Sequence, residues 1–148
     1  MAVNHRLVFA AMLMAPLCGA GLAQDSSLSL TVNVRGAQPG DGQVICSLFS
    51  SDDNYLKKPV SSQTQPIDGD GAALCRFRQL PAGTYAVTII YDQDRNGKLN
   101  TGLLGIPTEL VGFSNNAKSR FGPPTFDEAS FALSASNSIE IVLGKAKE

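Results

Sequence analysis

Histidine and tryptophan are almost missing from this chain of 148 residues. There is no tryptophan, and the single histidine, His5, lies in the N-terminal segment that we interpret below as a signal peptide. Catalysis by a Ser-His-Asp or Cys-His arrangement needs an imidazole as its general base, and structural zinc sites rely on histidine or on several cysteines. We therefore do not expect the exported protein to belong to either class.

Concentrated charge and long apolar runs are missing as well. The formal net charge is −1, and no cluster of lysine and arginine predicts binding to nucleic acid or to an anionic membrane surface. The longest apolar run, residues 7–17, is shorter than the roughly 20 residues that a membrane-spanning helix needs. We therefore expect no membrane span in the mature chain.

Residues 1–23 have the order of a secretory signal peptide. Arg6 supplies the positive charge, residues 7–17 form the apolar centre, and a segment of small residues ends at Ala23. We place the cleavage after Ala23, because a signal peptidase needs small side chains there. Residues 24–148 then form one domain, which we expect in the periplasm or outside the cell.

The cysteines predict a disulfide. Cys18 leaves with the signal peptide, and its lipidation is the weaker alternative. Cys46 and Cys75 remain, each in a short strand-like run, and an even pair in an exported chain favours an oxidised bond between neighbouring strands. The bond would contribute about 3.6 kcal/mol in the chain-entropy model. The alternative is a pair of buried free thiols, which no histidine could activate for catalysis.

Short segments of alternating polarity, separated by glycine and proline turns, dominate the rest of the chain. The segment 84–91 is apolar on both faces and is expected inside a sheet, whereas the polar residues 50–72 contain no predicted strand. Besides a seventh near 109–113, the predicted strands are residues 27–34, 43–49, 74–77, 84–91, 129–133 and 139–143. The pattern predicts an all-β fold, a single antiparallel β-sandwich of about seven strands with a long ordered loop lobe.

The polar stretch after the strongest strand has the spacing of a calcium-binding loop. Aspartate and asparagine alternate there, a glycine follows for the sharp turn, and a backbone carbonyl completes the pattern. The predicted metal ligands are Asp92, Asp94, Asn96, Asn100 and the carbonyl of Lys98. Calcium is accordingly the one cofactor that the sequence suggests, and exported modules often bind it only at about 10⁻⁴ to 10⁻³ M.

Two features depart from a complete calcium loop. The twelfth position holds Leu103 where a bidentate glutamate is usual, and the preceding element is a strand where a helix is usual. Glu109 or Asp127 would have to supply the missing carboxylate. Two other interpretations stay open: a type I′ turn at Asn96-Gly97 with Asx-turns around it, and an acid–base pair of Glu109 with one of the two aspartates.

The loop that follows, residues 105–126, is longer than most loops of compact domains and is rich in phenylalanine and proline. Its apolar side chains would gain from burial, so we expect an ordered lobe over one end of the sandwich. The candidate ligand-binding groups in and beside the lobe are Glu109, Asn115, Asn116, Lys118 and Arg120. In the alternative interpretation the aromatic residues cap the core and the polar groups are solvated.

Five short motifs follow one another between Leu80 and Phe131: G-x-Y-A-V, D-x-D-x-N-G-K-L, G-I-P, G-F-S-N-N and F-G-P-P-x-F. In these motifs the chain resembles the bacterial family called domain of unknown function 2141, over nearly all of its mature part. The resemblance implies an exported β-sandwich of immunoglobulin-like or transthyretin-like type, without an established activity or catalytic residues. Asn100 stands where the family most often has aspartate, and Asp94 where it often has asparagine.

The sequence thus favours a non-enzymatic binding or structural module of the bacterial cell envelope, whose partner is an envelope protein or a glycan. The alternative is a carboxylate-based hydrolase acting on envelope glycans. That alternative predicts two acidic side chains facing one cleft, with the pKa of one of them raised by burial.

Overall fold

The structure, a computed structural model, describes residues 27–118 and 121–146. The predicted signal peptide and Arg120 lie outside the described residues. These described residues form eight strands and one short α-helix, in the order β1 Leu28–Arg35, β2 Gln43–Phe49, β3 Ser61–Pro66, β4 Ala72–Leu80, β5 Gly83–Asp92, β6 Val111–Phe113, α1 Phe126–Ala129, β7 Phe131–Leu133 and β8 Asn137–Val142. Within the described ranges, no helix has the length and apolar character needed to cross a membrane.

The strands form two sheets that face each other. One sheet has the order β4-β1-β8, the other has the order β3-β2-β5-β6, and β7 pairs with the first part of β5. All pairings are antiparallel except that of β1 with β8, which is parallel. The predicted all-β sandwich is confirmed. So are the place of β5 inside its sheet and the strand near residues 109–113, which is β6.

Two local predictions are wrong. Residues 61–66 form β3, which pairs with β2 along its whole length, although their sequence SSQTQP has no hydrophobic alternation. Ala129 does not begin a strand but ends α1. The helix forms because Thr125 and Glu128 make a capping box, in which each side chain accepts a hydrogen bond from the backbone of the other residue.

The inward faces of both sheets form one apolar core, which contains the disulfide between Cys46 and Cys75. Cys46 lies on β2 and Cys75 on β4, with their Cα atoms 6.6 Å apart. These strands belong to facing sheets, so the cysteines are not on neighbouring strands as the sequence suggested. Because both side chains point inward, the bond joins the two sheets across the core.

The long segment after β5 is divided between the two ends of the sandwich. Residues 93–110 extend from the end at which β5 finishes, and β6 then runs antiparallel to β5, with Ile90 opposite Val111 and Thr88 opposite Phe113. The chain after β6 therefore reaches the end at which β5 begins. The sequence predicted one lobe over one end, whereas the structure builds an ordered part at each end.

The part after β6 packs on the outer face of the larger sheet. Phe126 stacks edge-on against Tyr55, with ring centroids 5.7 Å apart, and Tyr55 stacks in the same way against Phe49 at 5.4 Å. The fully buried Ser114 hydroxyl accepts a hydrogen bond from the amide of Val87 at 2.8 Å and donates one to the carbonyl of Ala129 at 2.5 Å. This end of the molecule therefore has a second, smaller apolar cluster.

Candidate metal site

The candidate site begins where β5 ends. Asp92 is the last residue of β5, lies opposite Gln43 of β2 and has no exposed surface. Its Oδ2 accepts hydrogen bonds from Gln43 Nε2 at 2.7 Å and from the Gly97 amide at 2.9 Å, and its Oδ1 accepts one from the Asn96 amide at 3.0 Å. The buried carboxylate thus closes the turn, in which Gly97 has a left-handed φ of 80° that suits glycine.

Burial and hydrogen bonding act in opposite directions on the pKa of Asp92. Burial is the largest single effect and raises the pKa, but the hydrogen bonds donated by Gln43, Gly97 and Asn96 together lower it below its ordinary value of 3.8. Asp92 is consequently a carboxylate at neutral pH. An ionised carboxylate is a good ligand for a hard cation such as calcium.

Two asparagine amides join the exposed side of the cluster. Asn96 Nδ2 donates to Asp94 Oδ2 at 2.9 Å and to Asn100 Oδ1 at 2.7 Å, and Asn100 Nδ2 donates to the same Asp94 oxygen at 2.8 Å. The amide groups therefore present N–H donors to the Asp94 carboxylate and offset its charge. Rotation of each amide by half a turn would present its oxygen to a cation at the same place.

Glu109 completes the cluster from the end of the loop that leads into β6. Its side chain is 9% exposed, and its two oxygens accept hydrogen bonds from the Gln93 amide at 3.1 Å and from the Asn100 amide at 2.9 Å. Oxygens from the carboxylates of Asp92, Asp94 and Glu109 lie within 4.8 Å of one another. Three residues that are separate in sequence thus converge on one small volume.

The donor set fits calcium. Calcium takes about six to eight oxygen ligands from carboxylates, amide and backbone carbonyls and water, and every candidate donor here is such an oxygen. The carbonyl of Lys98 follows the Gly97 turn, as the loop pattern requires. Asp127, the other carboxylate that the sequence offered, lies in α1 at the opposite end of the sandwich. The structure thus brings Glu109, and not Asp127, to the loop.

The geometry gives less support to acid–base catalysis. A general acid that works at neutral pH needs a raised pKa, whereas the pKa of Asp92 is lowered. Asp92 also has no surface through which a substrate could reach it. The cluster is better suited to holding a cation than to transferring a proton.

The other predicted binding residues lie at the far end of the molecule. Asn115 Nδ2 donates to the carbonyls of Glu128 at 3.2 Å and Ser130 at 2.8 Å. Asn116 Oδ1 accepts from the amide of Val142 at 2.9 Å, and its Nδ2 donates to the carbonyl of Glu140 at 3.3 Å. Lys118 is exposed. The two asparagine side chains are thus engaged with backbone, and only Glu109 of this set joins the acidic cluster.

Gln43 is a contact of the site that the sequence did not predict: it donates the shortest hydrogen bond to Asp92, at 2.7 Å. Gln43 opens β2, and its contact depends on the register that places it opposite the last residue of β5. The sequence shows only that one polar residue, Gln43, opens β2 and that another, Asp92, ends β5.

The protein is thus a β-sandwich with an acidic loop at one end, in which three carboxylates converge. A family model described as "uncharacterized protein conserved in bacteria (DUF2141)" matches residues 32–140. The chain belongs to this family, which confirms the resemblance of its motifs. A comparison with curated proteins gives no match.

Proposed function

We propose that this protein is an exported, non-enzymatic binding module of the bacterial cell envelope that holds a calcium ion at Asp92, Asp94 and Glu109. The periplasm or the cell exterior is its proposed location, and a glycan or an envelope protein its proposed partner. Asn96, Asn100 and the Lys98 carbonyl are the proposed neutral ligands. The ion would join β5 to the loop between β5 and β6 at one end of the sandwich.

The observation that carries this proposal is the convergence of three carboxylates without a positively charged partner. Like charges at such distances repel one another. The one ion pair among the described residues, Arg35 with Glu140, lies elsewhere. Arg95, which is near in sequence, donates instead to the carbonyl of Gly42 at 3.4 Å. A bound divalent cation would remove the repulsion that the amides only partly offset.

The direct test is isothermal titration of the purified protein with millimolar calcium. We expect one site with a dissociation constant of about 10⁻⁴ to 10⁻³ M. Asp94→Asn should weaken binding by about tenfold or more, because it removes one carboxylate of the set. Asp94 is the best residue to change, because it is exposed and its loss leaves the buried Asp92 contacts in place.

Asp127→Asn is the matched control, since it removes the same charge at the opposite end of the molecule. It should bind calcium as the parent does. Calcium at ten times its dissociation constant should also raise the free energy of unfolding of the parent by about 1.4 kcal/mol. Absence of binding in the parent, or equal affinity in the parent and Asp94→Asn, would refute the proposal.

A further inference from the structure

Asn96-Gly97 is the one Asn-Gly pair in the sequence, and every other asparagine is followed by a residue that has a side chain. An asparagine before glycine deamidates readily, because no side chain on the next residue shields the backbone nitrogen. The Gly97 nitrogen attacks Asn96 Cγ, a new C–N bond forms, and the side-chain nitrogen leaves as ammonia with the proton of the Gly97 amide. Water then opens the resulting succinimide ring and leaves aspartate or isoaspartate. Both residues are exposed, so water reaches them.

The fold restrains the attacking nitrogen. The Gly97 amide donates to Asp92 Oδ2 at 2.9 Å, and this carboxylate is fully buried and held by Gln43 of the neighbouring strand. The attack needs the Gly97 nitrogen to give up its proton and to direct its lone pair at Asn96 Cγ. The hydrogen bond to Asp92 must therefore break before the new bond can form.

The side chain under attack is held as well. Asn96 Nδ2 donates to Asp94 Oδ2 at 2.9 Å and to Asn100 Oδ1 at 2.7 Å, and Asn96 Oδ1 accepts from the Lys98 amide at 2.9 Å. Attack on Cγ makes this planar carbon tetrahedral and displaces both Oδ1 and Nδ2, after which Nδ2 leaves. All three hydrogen bonds oppose that change, so the reaction proceeds from a loop that has opened locally.

We propose that Asn96 is a modification site, which deamidates when the loop opens, and that Asp92 and Asp94 slow this reaction in the folded protein. The restraint consists of hydrogen bonds within the loop and needs no bound calcium. Deamidation replaces an amide donor with a carboxylate beside Asp92, Asp94 and Glu109, whose oxygens already lie within 4.8 Å of one another. Like charges repel there, and isoaspartate also lengthens the backbone before Gly97. The modified loop is therefore less stable than the original one.

The test is peptide mass spectrometry of the purified protein after incubation at mildly alkaline pH in water labelled with heavy oxygen. The label enters the new carboxylate and marks conversion during the incubation. A chelator in every sample keeps metal ions out of the comparison. We expect Asn96 to be the first asparagine converted when the chain is unfolded in guanidinium, and its conversion in the folded parent to be at least about tenfold slower.

Two variants remove the restraint one part at a time. Asp94→Ala deletes the acceptor of two Asn96 hydrogen bonds at an exposed position, and should speed conversion in the folded protein by about fivefold or more. Asp92→Ala deletes the acceptor of the Gly97 amide and should also speed it; urea unfolding shows whether this variant folds, and if it does not, Asp94→Ala decides. Asp127→Ala is the matched control at the opposite end of the sandwich and should convert as the parent does.

Equal rates of Asn96 conversion in the folded and the unfolded parent would overturn the proposal, because the loop would then provide no restraint. A folded variant of either Asp92 or Asp94 that converts at the parent rate would also overturn it. So would earlier conversion of another asparagine in the unfolded chain. Because every sample contains chelator, a failure of the parent to bind calcium would refute the proposed metal site and leave this result unchanged.

Discussion

Single residues show two ways of burying a polar group in this protein. Asp92 is surrounded by hydrogen-bond donors, whereas the Tyr55 hydroxyl, on a side chain that is 7% exposed, has no hydrogen-bond partner among the described residues. Burial, followed by the negative charge of Glu128, raises the pKa of Tyr55 from 10.0 to about 12. The ring of Tyr55 packs between Phe49 and Phe126, so aromatic packing outweighs the cost of the unpaired hydroxyl.

Tyr55→Phe should make the protein more resistant to alkaline unfolding. Because the pKa is raised in the folded state, this group's contribution to stability is fully present below pH 10 and is lost as the pH rises through 12. Between pH 10 and 12 the free energy of unfolding of the parent should therefore fall by about 2 to 3 kcal/mol more than that of Tyr55→Phe. Near neutral pH the variant should equal or exceed the parent, since an unsatisfied buried hydroxyl costs about 1 to 3 kcal/mol. Urea unfolding at a series of pH values measures both effects.

Tyr85→Phe is the control for this prediction. The Tyr85 hydroxyl donates to the carbonyl of Pro81 at 2.9 Å, so its removal should lower stability at neutral pH by about 1 kcal/mol. If the free energy of unfolding falls equally in the parent and in Tyr55→Phe between pH 10 and 12, the pKa of Tyr55 is not raised by folding.

Among the larger elements, two sheet edges are closed by side-chain amides. On the edge of β8, Asn116 accepts the Val142 amide at 2.9 Å and donates to the carbonyl of Glu140 at 3.3 Å. On the edge of β4, Gln63 accepts the Arg76 amide at 3.1 Å and donates to the carbonyl of the same residue. Each side-chain amide thus makes one donated and one accepted hydrogen bond with the edge strand, as the backbone of a neighbouring strand would. These positions are therefore occupied and less available for pairing with another chain.

Asn116→Ala should lower the free energy of unfolding by about 1 to 3 kcal/mol, because two backbone groups of β8 lose their partner. Its left-handed φ of 46° adds to the cost, since asparagine tolerates that conformation better than alanine does. Urea unfolding provides the measurement. Asn54→Ala, at an exposed turn position, is the control and should stay within about 0.5 kcal/mol of the parent. Equal free energies of unfolding for the parent, Asn116→Ala and Asn54→Ala would mean that the Asn116 side chain does not stabilise the β8 edge.

Most strands could be predicted from sequence, but the polar edges could not. Strands such as β1 and β2 bury every second side chain, so their alternation is visible in the sequence. β3 exposes polar residues on an edge and gains its stability from pairing with β2 and from Gln63, neither of which leaves a hydrophobic pattern. Asn115 and Asn116, which the sequence offers as candidate binding groups, bond instead to the backbone. A Cβ at Gly112, in the same motif, would lie only 2.6 Å from Ile141 Cγ2, so a residue without a side chain is needed there.

On the scale of the whole molecule, the strand framework places an acidic loop at one end and an aromatic cluster at the other. The spacing of Asp92, Asp94 and Asn96 indicates the first half of the acidic cluster, which the structure forms at the end of β5. The choice of Glu109 over Asp127 was not predictable, because it depends on the β5–β6 pairing that returns Glu109 beside Asp92. The disulfide across the two sheets, and not within one of them, also depends on the topology.

A crystal structure of the protein grown in calcium, with anomalous diffraction to identify the ion, would test the proposed calcium site directly. We expect a calcium peak with oxygens of Asp92, Asp94 and Glu109 at about 2.3 to 2.6 Å, and with the Asn96 and Asn100 amides turned to present oxygen. A structure that holds no ion at the cluster in excess calcium, with the amide nitrogens still bonded to Asp94, would contradict it.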